Sequence, residues 1–97
     1  MNAIIDTIIY CKNPKHVHAI LRKEFQTDIS IFPGMYIEDQ AWPDGEVEIA
    51  RVSINPCESY LMIDIADKLV EFPNKDECEK RVKQLRSSGW KSPNEWK

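Results

Sequence analysis

Glu46-Val47-Glu48-Ile49-Ala50-Arg51-Val52-Ser53-Ile54, followed after Asn55-Pro56 by the run from Tyr60 to Phe72, Tyr60-Leu61-Met62-Ile63-Asp64-Ile65-Ala66-Asp67-Lys68-Leu69-Val70-Glu71-Phe72, is the stretch that decides the fold. Its apolar residues alternate with polar ones, the period of a half-buried β-strand. The first run has one fault: Val47 and Ile49 share one parity, and Val52 and Ile54 share the other. A bulge near Ala50-Arg51 restores all four to one face. In the second run, Leu61, Ile63 and Ile65 give way to Val70 and Phe72. A turn at Ala66-Asp67 predicts a hairpin pairing Ile63 with Val70 and Leu61 with Phe72. The partners of these apolar residues, Glu46, Glu48, Asp64 and Glu71, then point away from the core.

Outward from this stretch, Glu38 to Gly45 reads as a loop closed by Trp42-Pro43-Asp44-Gly45. Asp28 to Glu38 predicts two short strands, or one with a kink. Pro33-Gly34 is a strong turn signal, and Pro cannot sit inside a central strand. Ala3 to Cys11 is short, β-branched and almost wholly apolar, which predicts a central strand covered on both faces. Asn13-Pro14 fits the cap and first position of a helix. Val17, Ile20, Leu21 and Phe25 follow at helical spacing, with Lys15, His18, Arg22 and Lys23 facing water. A second helix has a fuller grammar. Asn74 caps it, with Glu77 three residues on, and Asp76, Glu77 and Glu79 lie in its first turns. Lys80, Arg81, Lys83 and Arg86 lie later, Cys78, Val82 and Leu85 form the buried stripe, and Gly89 is the stop with Trp90 folding back on Leu85. The expected order is β-α-β(β)-β-β-β-α. This is an α+β fold: a single compact domain over residues 1–97, with a mostly antiparallel four- to five-stranded sheet and two helices on one face.

Charge is unevenly distributed. Tyr36 to Glu79 holds twelve of the sixteen acids and three bases, a balance of −9 within a formal net charge of −3. The eighteen residues after it carry six bases and Glu95, a balance of +5. Capping and the helix dipole account for Asp76, Glu77 and Glu79. The remaining acids predict a face that meets a basic partner.

Length and composition exclude several classes. A chain of 97 residues supports one domain. No run approaches the roughly 20 apolar residues of a membrane span. Asp6 interrupts any signal-like opening, so a cytoplasmic location is expected, with no membrane partner. Cys11, Cys57 and Cys78 form no CxxC pair and read as reduced thiols.

The residue types present allow four kinds of chemistry. Cys11, His16 and His18 are spaced C-x4-H-x-H. On a helix, residues two apart point about 200° from each other, so no metal site is predicted. Cys57, after Pro56, is the most exposed thiol but has no visible base; Cys11 and Cys78 read as core thiols. The pairs Glu46/Glu48 and Asp64/Glu71 lie on a sheet face rather than in a cleft, which disfavours acid–base catalysis. The basic tail with Trp90 and Trp96 mixes cations and aromatics as nucleic-acid binders do, but a pI near 5.3 opposes a polyanion partner. No phosphate-cradling glycine loop is present. Thr7 to Phe25 faintly resembles the first βα unit of vicinal-oxygen-chelate enzymes, but the chain is too short for their paired modules and lacks their His/Glu metal set. Neither catalytic residues nor a cofactor are expected.

In length, acidity and absence of catalytic motifs, the chain resembles the small anti-defence proteins of phages and mobile elements, including anti-CRISPR proteins that mimic DNA. That resemblance implies a non-enzymatic inhibitor, a monomer or weak dimer. It would present an acidic face to the basic nucleic-acid-binding groove of a host protein complex without binding nucleic acid itself. The expected contact residues are Glu38, Asp39, Asp44, Glu46, Glu48, Asp64 and Glu71, with Trp42 as an aromatic anchor. The alternatives are a housekeeping or adaptor domain whose acids only solubilise it, and a small enzyme or metal protein using Cys57 or the carboxylates.

Overall fold

The computed structural model describes residues 1–96. The chain runs β1 (Asn2–Lys12), β2 (Lys15–Gln26), β3 (Tyr36–Glu38), β4 (Glu46–Asn55), β5 (Tyr60–Ile65), β6 (Leu69–Phe72), α1 (Lys75–Ser87) and a 3-10 turn at Pro93–Glu95. Six strands form one mixed sheet in the order β2-β1-β5-β4-β3, with β6 also paired to β1. The fold is a small α+β sheet with one helix rather than two.

β1 is the central strand that its apolar run predicts, but it is not covered on both faces: Asp6, Ile8 and Tyr10 on the second face are half-buried. Ala3, Ile5, Ile9 and Cys11 are almost fully buried on the face toward α1. The expected first helix is instead β2, which returns antiparallel to β1 after the turn at Asn13-Pro14. Two features disguise it. A bulge leaves His18 unpaired, because Ile9 pairs with Ala19 and Tyr10 with Val17. In addition, β2 carries apolar residues on both faces, so their spacing imitates a helical stripe. Its charged residues are not a solvated helix face. Arg22 binds Asp6 on β1 through Nε at 2.7 Å and Nη2 at 3.0 Å. Lys23 and His18 are likewise mostly covered, by Asp39 and Glu79.

The fault in β4 is a bulge at the expected place, but of the four residues expected on the core face Ile54 is 66% exposed. Ile49 pairs with Ile65 and Arg51 with Asp64, leaving Ala50 over. The predicted β5–β6 hairpin does not form. Both segments run parallel to β1, one after the other: Ile63 pairs with Ile5 and Leu69 with Ile8. β1 advances three residues while the other strand advances six. Ala66-Asp67-Lys68 is therefore a three-residue excursion in one long strand. An odd excess shifts parity just as a hairpin would, so the sequence pattern did not distinguish the two. Asp67 turns the chain with a left-handed φ of 59°. Of Asp28 to Glu38, only Tyr36–Glu38 is strand. Gly34, at φ 92°, turns the chain so that its N–H reaches the Ile49 carbonyl at 2.8 Å.

α1 matches its grammar. The Asn74 side chain accepts from the Glu77 N–H at 3.0 Å. Cys78, Val82 and Leu85 are buried. At the other end, Trp90 N–H bonds the Leu85 carbonyl and Gly89 N–H the Arg86 carbonyl, the paired bonds of a Schellman stop, with Gly89 at φ 91°. Trp90 is fully buried and meets Trp42 edge-on, ring centroids 5.7 Å apart. The tail then covers part of the outer edge of β2. Lys91 and Arg22 exchange backbone hydrogen bonds at 2.6 and 2.9 Å, and Trp96 Nε1 donates to the Arg22 carbonyl at 2.8 Å.

Candidate interaction surface and cleft

The eight expected contact residues do not form one surface. The β3–β4 ladder pairs Tyr36 with Glu48, Ile37 with Val47 and Glu38 with Glu46. Ile37 and Val47 pack on the core, so Glu38, Glu46 and Glu48 project from the opposite face of this ribbon, exposed. Asp44 is exposed in the adjoining loop. Among the described residues, none of these four makes an ion pair.

Asp64 is neutralised: it binds Arg51 at 3.0 Å and Lys68 at 3.2 Å. Burial by itself would raise its pKa, but the two cations outweigh burial and hold it below the ordinary carboxylate value. Glu71 lies 3.9 Å from Lys12, both well exposed.

Asp39 is a structural residue. Its side chain is 7% exposed and accepts from Lys23 Nζ at 2.6 Å and from the Ala41 N–H at 2.9 Å. Burial pushes its pKa up, but Lys23 and the Ala41 N–H prevail and the net shift is downward. The buried Trp90 indole N–H has no partner at hydrogen-bond geometry, yet its field helps keep Asp39 ionised. Lys23 also donates to the Ser88 carbonyl at 2.9 Å. The pair thus ties β2, the loop before β4 and the end of α1 together.

The centre of the open sheet face is apolar rather than acidic. Ile20, Ile8 and Leu69 align across β2, β1 and β6, and the next rung runs from Val17 through Tyr10 to Glu71 at the β6 edge. The acids lie to one side of this stripe.

A cleft of about 760 Å³ opens between β6 and the start of β4, where the sequence predicts only a flat face. Past Ile49, β4 leaves β5 and pairs with β3, so nothing covers β6 on that side. Trp42, Pro43 and Val47 form one wall and Val70 and Phe72 the other, while Arg81 and Gln84 of α1 also line the space. Asp44, Glu46, Asp67 and Glu71 bring carboxylates to it. Arg81 is committed to the Ala41 carbonyl. Burial pulls its pKa below the usual guanidinium value, and Asp39 opposes this with a weaker pull. Neither a histidine nor a cysteine lines the cleft.

The thiols and imidazoles lie elsewhere. Cys11 and Cys78 are fully buried, and burial raises the Cys78 pKa, which disfavours a thiolate. Cys57 is exposed in the turn before β5. His16 and His18 sit on a strand rather than a helix. Their rings are 5.9 Å apart, so the geometric ground for separating them falls. His18 is taken by Glu79 at 2.5 Å and His16 by the Pro14 carbonyl at 2.7 Å. Among the described residues, no group of three or more His, Cys, Asp or Glu side chains is placed to hold a metal ion. No helix there is long and apolar enough to cross a membrane.

Sequence reasoning missed the neutralising cations Lys23, Arg51 and Lys68. The Arg51–Asp64 pair was accessible, because it follows once β4 is paired with β5 across the predicted bulge. Lys23 was hidden by the helical reading of its segment. The chain matches no protein-family model, and neither a curated protein nor a solved structure matches it.

Proposed function

We propose that this protein works by binding another protein, through the acidic β3–β4 ribbon and the Asp44 loop beside it. The partner surface is basic, of the kind that receives a nucleic-acid backbone, and the outcome is inhibition by occupancy. The observation that carries this reading is the Glu38–Glu46 pair. Two carboxylates directly opposite on neighbouring strands repel and weaken the ribbon. Among the described residues neither forms an ion pair, and the exposed Glu48 and Asp44 lie beside them in the ribbon and its loop. A basic partner removes that repulsion on binding, which favours fast and salt-sensitive association. Asp39 and Asp64 are excluded from the contact set because internal cations already hold them.

The test is capture from a nuclease-treated bacterial lysate by the immobilised chain, at about 50 mM and about 500 mM salt. The captured protein is then purified and bound to a labelled DNA duplex. The expected result is a protein retained only at low salt and lost with the double variant Glu38→Lys/Glu48→Lys, whose duplex the wild-type chain displaces. Undiminished capture by the double variant, or a captured protein that keeps its duplex, would overturn the reading.

A further inference from the structure

We propose that the cleft along β6 is a slot for one added β-strand. Its occupant is an extended segment of a partner protein that alternates apolar and basic residues. This goes beyond the acidic-ribbon reading and stands on separate observations.

The first is the edge of β6. In a parallel ladder, successive residues turn their backbone groups alternately toward and away from the neighbouring strand. Ile8 N–H bonds the Lys68 carbonyl at 2.7 Å, so Lys68, Val70 and Phe72 address β1. Leu69 and Glu71 direct their N–H and C=O groups the other way, into the cleft. An edge of unpaired groups is a template for a further strand.

The second is the cleft's shape. Side chains from both faces of β6 line it, Val70 and Phe72 from the helix side and Leu69 and Glu71 from the open side. The space therefore follows the strand edge itself. Its volume of about 760 Å³ lies in the range of binding clefts. Four residues of β6 match about four of an added strand, at about 3.3 Å each.

The third is charge. On the helix side, Trp42, Val47 and Phe72 offer apolar contact. On the open side, Glu46 and Glu71 flank the slot, with Asp44 and Asp67 at its rim. Arg81 is turned to the Ala41 carbonyl and Lys12 lies 3.9 Å from Glu71, so Asp44, Glu46 and Asp67 are the lining acids that make no ion pair among the described residues. A strand alternates faces, so apolar residues on one side and lysine or arginine on the other satisfy both walls.

The probe is a capped peptide of about six residues alternating valine and lysine, titrated into the ¹⁵N-labelled full chain; a valine–glutamate peptide is the control. The lysine peptide is expected to move and protect the Leu69 and Glu71 amides, and the control is expected to leave them unchanged. Leu69→Pro removes one outward N–H without touching the β1 ladder and should weaken binding about fivefold. Glu46→Lys should weaken it while leaving the β6 edge intact, and remains decisive if the proline variant fails to fold. Glu38→Lys/Glu48→Lys should bind the peptide as wild type does, whatever becomes of protein capture. Equal binding of the two peptides, shifts confined to other strands, or wild-type affinity in a folded Leu69→Pro chain would each overturn the proposal. So would concentration-dependent shifts at Leu69 and Glu71 without peptide, which would mean that a second copy fills the slot.

Discussion

Replacing Asp39 by alanine should destabilise the protein by about 2.5 kcal/mol, although the residue lies within an acidic stretch that reads as surface. The magnitude follows from its two bonds. The Lys23 ammonium, at 2.6 Å, loses a charged partner. Hydrogen bonds to charged groups contribute about 1.5–3 kcal/mol. Lys23 is 31% exposed and keeps the Ser88 carbonyl, so the lower end applies. The Ala41 N–H, at a residue only 7% exposed, is left without its acceptor, which costs about 1 kcal/mol more. Asp39→Asn keeps an oxygen for Ala41 and should lose only about 1.5 kcal/mol. The assay is urea unfolding followed by tryptophan fluorescence, since Trp42 and Trp90 adjoin this node. The pH dependence has a definite sign. The folded pKa of Asp39 lies below its unfolded value of about 3.9. Its stabilisation is therefore complete above that value and lost as pH falls through the folded pKa. The gap between wild type and Asp39→Asn should be constant near neutrality and close below about pH 4. An Asp39→Ala chain within about 0.5 kcal/mol of wild type at neutral pH would refute the reasoning.

Other expectations concern the fold. Deleting Ala66, Asp67 and Lys68 should leave a folded protein by circular dichroism, weakened by about 2 kcal/mol for the lost hydrogen bonds, because Ile65 then falls opposite Thr7 and Leu69 stays opposite Ile8. A hairpin would lose its turn and collapse. Trp90→Ala should cost about 3–5 kcal/mol in urea unfolding, since the ring is fully buried against Trp42. Asn74→Ala should cost about 1 kcal/mol, with the loss visible as faster amide exchange at Glu77.

Much of the helix and of two strands was legible locally. Asn74, the Cys78-Val82-Leu85 stripe and Gly89 each act within a few residues of their own position, and the β4 bulge betrays itself as a break in parity. The acidic surface was legible only in part. Counting carboxylates locates a charged stretch, whereas deciding which carboxylates are free requires their partners. Asp39 finds Lys23 sixteen residues away, and Asp64 finds Arg51 across a ladder.

The sequence by itself determined the central strand, the capped helix with its stop, the β4 bulge and the sign of the charge. These follow from period, turn residues and dipole, all local quantities. Only the tertiary structure decided that Lys15–Gln26 is a strand, because the antiparallel ladder with β1 and the cross-strand pair of Arg22 with Asp6 override a helical spacing of apolar residues. Only it decided that β5 and β6 lie end to end along β1, because an odd excursion and a hairpin leave the same alternation in the chain. The cleft follows from that second choice. With β6 laid against β1, its outer edge stays open where β4 turns away, and no property of either strand alone foretells the gap between them.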